Sequence, residues 1–167
     1  MTKRFRGFVT LLSLLLVSTI FSACSQKSYD ASINCQDLST ALKREISVPQ
    51  GYFEEYTDDE VKYLFSSPKL YDDICIVYSA DSTDVCEVGI LHAASDDNAK
   101  LLYEDAKAYI KALQEQKSDF LSNYSPAELS KLNSAEVRRY GNYIIFTVAE
   151  SGDKEELFKK AEMILSE

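Results

Sequence analysis

The chain has no tryptophan, a single histidine, five glycines and three prolines in 167 residues. Each shortage removes a class of chemistry. A zinc site draws on several closely spaced His or Cys ligands, and no such spacing occurs. No glycine-rich run can cradle a phosphate, and no serine sits in a nucleophile-elbow sequence. His92, the one imidazole, falls where an apolar run gives way to Ala93-Ala94, and a packed or half-exposed role is the ordinary one there. No cofactor is expected. Basic residues are also scarce, at 18 against 27 acidic ones. Phosphate backbones need Lys/Arg-rich faces, so nucleic acid is not an expected partner.

What is present begins with an address. Lys3, Arg4 and Arg6 precede an apolar stretch from Phe8 to Phe21, and no acid occurs before Cys24. A basic start, a short apolar core and the small residues Ser22 and Ala23 predict a signal peptide over 1–23. The stretch is shorter than the roughly 18 apolar residues that a spanning helix needs. Its end, "FSAC", resembles the lipobox of bacterial lipoproteins, with Phe21 in place of the usual Leu. That resemblance implies a diacylglyceryl group on Cys24, which would become the first residue. A plain signal peptide that happens to carry a cysteine is the alternative. Cleavage removes three basic residues and leaves 15 against 27, so the exported part is strongly acidic. Its expected hold on a membrane is the lipid on Cys24, because each buried methylene contributes about 0.8 kcal/mol.

Residues 24–33 are mostly polar and read as a flexible tether. The rest, 34–167, reads as one domain. Leu38, Leu42 and Ile46 recur every four residues behind Asn34, a helix with an N-cap. Thr57 and Glu60 form a capping-box pattern. Residues 72–79 and 84–92 predict two strands around the turn-like "ADST". A long helix starts at Ser95, with Leu102, Ala106, Tyr109, Leu113 and Phe120 on its apolar stripe. After Pro126 comes a second hairpin closed by Gly141-Asn142, which sets Val137 opposite Phe146 and Arg139 opposite Ile144. A final helix carries Leu157, Phe158, Ala161 and Leu165. The expectation is an α+β fold: an antiparallel four-stranded sheet from two β-hairpins, with helices packed on one face. A shift of 56 residues sets Ile90 on Phe146 and Leu101-Leu102 on Leu157-Phe158. That fits a duplicated hairpin–helix unit, or only the recurring grammar of a strand feeding a helix.

Cys35, Cys75 and Cys86 are an odd set after lipidation of Cys24. Cys86, Val88 and Ile90 form one face of their strand. Ile74, Ile76 and Tyr78 look like the inward set of the other, which turns Cys75 outward and argues against a bridge. "FEEYTDDE" is rich in carboxylates but lacks the calcium-loop spacing, so it reads as a solvated face. Arg138, Tyr140 and Tyr143 flank the tight turn and are the candidate binding surface, since Tyr and Arg are favoured at interfaces.

The order "TDDEVKYLF", "DICIVYSA", "SDDNAKLLYEDAKAYI", "SDFLSNYSPAELSKL" and "YGNYIIFTVAESGD" resembles a domain-of-unknown-function family of small lipoproteins from clostridia and related Gram-positive bacteria. The resemblance spans about 58–167. It implies a domain held on the outer face of the cell membrane and names no chemistry. The expected function is a non-catalytic envelope module that binds an envelope protein, a wall polymer or a small ligand. The alternative is a small wall-directed hydrolase using carboxylates. An enzyme predicts a deep pocket with carboxyls of raised pKa. A binding module predicts a shallow face around Arg138, Tyr140 and Tyr143.

Overall fold

Side-chain caps set three of the helix starts. In the computed structural model, which describes residues 29–30, 32–48, 52–65 and 67–166, Asn34 accepts from the Asp37 amide and opens α1, Cys35–Leu42. Thr57 and Glu60 close a reciprocal capping box at α2, Asp58–Leu64. Ser95 accepts from the Asn98 amide and opens α3, Asp96–Tyr124, whose first turn holds Asp96 and Asp97 at the positive end of the helix dipole. Pro126 starts α4, Pro126–Asn133, and α5 is Ser151–Leu165.

The strands are β1, Phe53–Glu55; β2, Tyr71–Ser79; β3, Glu87–Ala93; β4, Glu136–Tyr140; and β5, Tyr143–Val148. They form one sheet in the order β1-β2-β3-β5-β4, antiparallel throughout. The sheet has five strands, not the expected four. The extra strand, β1, pairs Phe53 with Ser79 and Glu55 with Val77, and three residues carry too little pattern to be read from sequence. The second hairpin keeps its expected register, with Val137 opposite Phe146 and Arg139 opposite Ile144. Gly141 turns it at φ 59°, a left-handed backbone that favours glycine.

Helices cover both faces of the sheet, not one. One core layer joins Cys75, Val77, Val88, Ile90, Tyr143 and Ile145 of the strands to α1 and α5. The other joins Ile76, Leu91, Ile144, Phe146 and Val148 to α2, α3 and α4. The cause lies in the strands themselves. All of β5 is buried, and β3 is buried except at His92, so neither strand has a polar face to turn to water. At about 25 cal/mol per Å², leaving either face bare would forfeit several kcal/mol.

Two-sided covering also removes the basis for a duplicated unit. α3 lies on one face and α5 on the other. The 56-residue shift equates Ile90 with Phe146, whose side chains point into opposite layers. Strand feeding helix is the recurring grammar here, and the two copies are not related by the shift.

The part of the expected tether that the structure describes is docked. Tyr29 sets its ring edge-on to Tyr140 at 5.7 Å, and the Asp30 amide donates to the Leu165 carbonyl at 2.8 Å. Ile33 packs on the α1–α5 layer. Tyr29 and Ile33 are large apolar groups in an otherwise polar segment, and they find cover. The expected signal peptide over 1–23 and Cys24 lie outside the described residues. Among the described residues, no helix is long and apolar enough to cross a membrane.

Candidate functional site

β3 begins with a carboxyl inside the protein. Glu87 follows the turn after β2 and points toward α3, on the face opposite Val88 and Ile90. It is 4 % exposed. One partner reaches it: the Tyr109 hydroxyl donates to Oε1 at 2.7 Å. Tyr56, at the entry to α2, lies beside this pair and feels the charge of Glu87. Burial pushes the Glu87 carboxyl up to about 7, with the Tyr109 hydrogen bond and the Lys117 ammonium pulling the other way. Burial, reinforced by Glu87, pushes Tyr56 up to about 12. Near neutral pH, Glu87 is therefore poised between its two protonation states, held by a phenol that stays neutral.

Above this pair opens a cleft of about 600 Å³ between α2 and α3. Tyr56, Tyr63 and Phe65 form one wall, and Tyr109, Leu113 and Lys117 the other. Helical spacing aligns Tyr109, Leu113 and Lys117, four residues apart, along one line of α3. An aromatic cluster packs behind the walls. Phe65 and Tyr109 lie 5.4 Å apart, Tyr109 and Phe146 5.4 Å, and Phe65 and Phe146 6.2 Å. A second hollow of about 550 Å³ shares Gln116 and Lys117 with the cleft and runs on to Phe120 and Tyr124. Tyr63 is 87 % exposed, Phe120 63 % and Tyr124 76 %, and the last two rings lie 4.9 Å apart. The result is a groove with a deep aromatic centre and an exposed ring at each end. Phe120 thus leaves the core stripe expected for it, while Leu113 is half-buried.

The expected surface around the second hairpin is not a surface. Tyr140 and Tyr143 are buried, 6 % and 1 % exposed. Both do lie on the face opposite Val137 and Phe146, but α1 and α5 cover that face. Tyr140 donates to the Phe158 carbonyl, and Tyr143 to the carbonyl of Ile33. Arg138 lies over the Phe158 ring, 4.1 Å from its centroid, and pairs with Glu136 and Glu155. The three residues fasten α5 and the N-terminal segment to the sheet.

The cysteines are corrected in one respect. Cys75 points inward, in the same layer as Cys35 and Cys86. All three are buried free thiols. Burial raises Cys75 to about 11 and Cys86 to about 12, and burial with the nearby Asp73 raises Cys35 too. Such thiols are inert small hydrophobes. His92 is half-buried and tied to Asp72, Nδ1 to Oδ1 at 2.6 Å, with the Tyr143 ring centroid 4.6 Å from its own. A bulge in β2 at Asp72 brings that carboxylate to the ring. Among the described residues, no group of three or more His, Cys, Asp or Glu side chains is placed to hold a metal ion.

A further buried pairing lies between α4 and the turn before β3. Lys131 of α4 meets Asp84 at 2.6 Å and Glu128 at 3.0 Å, and Glu128 in turn accepts from the Val85 amide. This ties α4 to the turn that delivers Glu87.

Tyr109 lies on the stripe expected for α3, but nothing in the local sequence marks Glu87 as its partner. The available signal was an acid inside an otherwise apolar strand, on the face where α3 presents its tyrosine.

Residues 49–149 match the family described as a domain of unknown function, DUF4358, and the chain belongs to that family. The match contains α2, the whole sheet, α3 and α4, and with them every residue of the cleft. No curated protein and no solved structure matches the chain.

Proposed function

We propose that the protein is an extracytoplasmic lipoprotein, anchored to the membrane of a Gram-positive cell through Cys24, whose domain is a non-catalytic binding module for a wall polymer. The observation that carries the binding reading is the groove between α2 and α3. Exposed rings at Tyr63, Phe120 and Tyr124 flank a deeper polar–aromatic centre. Aromatic faces spaced along a groove stack on the rings of a polymer, and Gln116 and Lys117 between them supply hydrogen bonds. The signal sequence and the strongly acidic exported part support the anchored location.

The hydrolase reading draws on Glu87, whose raised pKa is what a general acid needs. Glycan cleavage needs a second carboxyl across the scissile bond. The acid that lines the cleft is Asp105. The binding reading is favoured because Glu87 is engaged by Tyr109 beneath the cleft and is not part of its lining.

The test is co-sedimentation of the Cys24→Ala chain with purified wall sacculi. The double variant Tyr63→Ala/Phe120→Ala should lose about tenfold in affinity, that is ~1.4 kcal/mol, with an unchanged thermal melt. Equal retention of the two would remove the groove as the site. Failure of the parent chain to sediment would remove the polymer and favour a protein partner. Release of muropeptides, lost in Glu87→Gln, would establish the hydrolase.

A further inference from the structure

The docking of Tyr29 and Asp30 fixes where the polypeptide leaves the domain, and that exit lies at one end of the sheet. The Asp30 amide is held by the Leu165 carbonyl at the end of α5. A Cβ on Gly141, at the tip of the β4–β5 turn, would stand 3.3 Å from the Tyr29 ring. Ala93, at the end of β3, donates to Asn142 in the same turn. The exit, the tight turn, the end of β3 and the C-terminus of α5 therefore share one edge of the molecule. Asp96, the first residue of α3, is paired with Arg139 there as well.

The groove runs along α3 from Asp105, about 14 Å beyond the helix start, through Lys117 to Tyr124 at the end of the helix away from the exit. Glu87 is the first residue of β3 and His92 is near its last, so they are about 17 Å apart along a strand. α3 starts at the exit edge and reaches Lys117 after a rise of about 30 Å. From Cys24 to Tyr29 there are five peptide steps, which span at most about 18 Å however they are arranged.

We infer that the domain stands on the bilayer by its β4–β5 turn edge, with the α2–α3 groove running away from that edge and its Phe120–Tyr124 end distal, so that its ligand comes from the wall side and is not a lipid headgroup. This rests on the lipid anchor proposed for Cys24. Net charge acts in the same direction, since an acidic domain is repelled by anionic headgroups and is not drawn flat onto them.

The experiment uses the full lipidated chain in phosphatidylcholine vesicles with a lipid-phase fluorescence quencher. Fluorophores are placed on Asn142→Cys and, separately, on Gln116→Cys. The native thiols are buried and stay unlabelled in the folded protein. Strong quenching at 142 and weak quenching at 116 is the expected result. Tyr29→Ala, which frees the exit segment, should bring the two values together. Equal quenching in the parent chain, or stronger quenching at 116, would overturn the orientation. A chain that does not float with the vesicles would overturn the anchor itself, and this orientation with it. A third arm adds phosphatidylglycerol to the vesicles: quenching at 116 that rises with it would identify the groove as a headgroup site and overturn the inference.

Discussion

Phe146 lies across Gly89. The two are register partners on β5 and β3, and a Cβ built on Gly89 would fall 2.1 Å from the ring carbons Cε1 and Cζ. The glycine leaves a slot in the apolar strand β3, and the phenyl ring fills it. That ring also packs behind the cleft walls, stacked on Phe65 and tilted against Tyr109. Gly89→Ala should therefore displace Phe146 and destabilise by about 1–3 kcal/mol through overpacking, with loss of the near-ultraviolet tyrosine signal. A urea melt unchanged from the parent would show that the ring can move aside at no cost.

Glu87 gives the domain a pH-dependent stability of defined sign. Its folded pKa of about 7 lies above the ordinary 4.5. Between those two values the folded state keeps a proton that the unfolded chain has released. Stability from this group is thus present below about pH 4.5 and lost as pH rises through about 7. Glu87→Gln should leave stability little changed at pH 4 and raise it at pH 8 by up to about 3 kcal/mol. Melts of both proteins across that range check it. A variant less stable than the parent at pH 8 would mean that the charged form is better held than its burial indicates.

The two covered faces reverse a ranking that one-sided packing would give. Tyr143 is buried with its hydroxyl on the Ile33 carbonyl, whereas Leu113 is half-buried at the cleft wall. Tyr143→Ala should cost about 3–5 kcal/mol, and Leu113→Ala distinctly less. Urea melts of the pair measure the difference. Equal losses would show that α1 and the N-terminal segment pack more loosely on Tyr143 than its burial implies.

Thiol labelling separates the three cysteines of the domain from one bridged pair. Cys35, Cys75 and Cys86 should resist reagent in the folded protein and react fully after denaturation without reductant. One reactive thiol, with a mass lower by two hydrogens, would mean that two of them are joined as a disulfide.

Much of the local structure was legible in the residues. Asn34, Thr57 and Ser95 announced their helices because a cap is a short-range signal, complete within four positions. Gly141-Asn142 fixed the second register for the same reason. What stayed hidden was tertiary. Both faces of β2 are apolar, so the alternation of Ile74, Ile76 and Tyr78 does not identify a single inward face, and Cys75 is inward too. The uninterrupted run "YIIFTV" was the available sign of a strand covered on both sides. Tyr140 and Tyr143 looked like a binding surface because their covering helices, α1 and α5, lie at opposite ends of the sequence. Of the site, the α3 residue Tyr109 was located on its helix. The opposing wall from α2 and the carboxyl beneath it depended on the packing of segments distant in the chain.

The strand order carries a consequence for how the chain acquires its structure. Each hairpin closes through neighbours in sequence, but the seam between β3 and β5 joins Glu87 to Thr147 across 60 residues. That seam joins the two hairpins, and its closure encloses a far longer loop than either hairpin turn. Until they meet, both apolar faces of both hairpins lie open. In stopped-flow refolding, Ile145→Val at the seam should slow folding, while Leu165→Ala at the end of α5 should mainly speed unfolding. If both variants changed only the unfolding rate, the seam would be closing after the barrier.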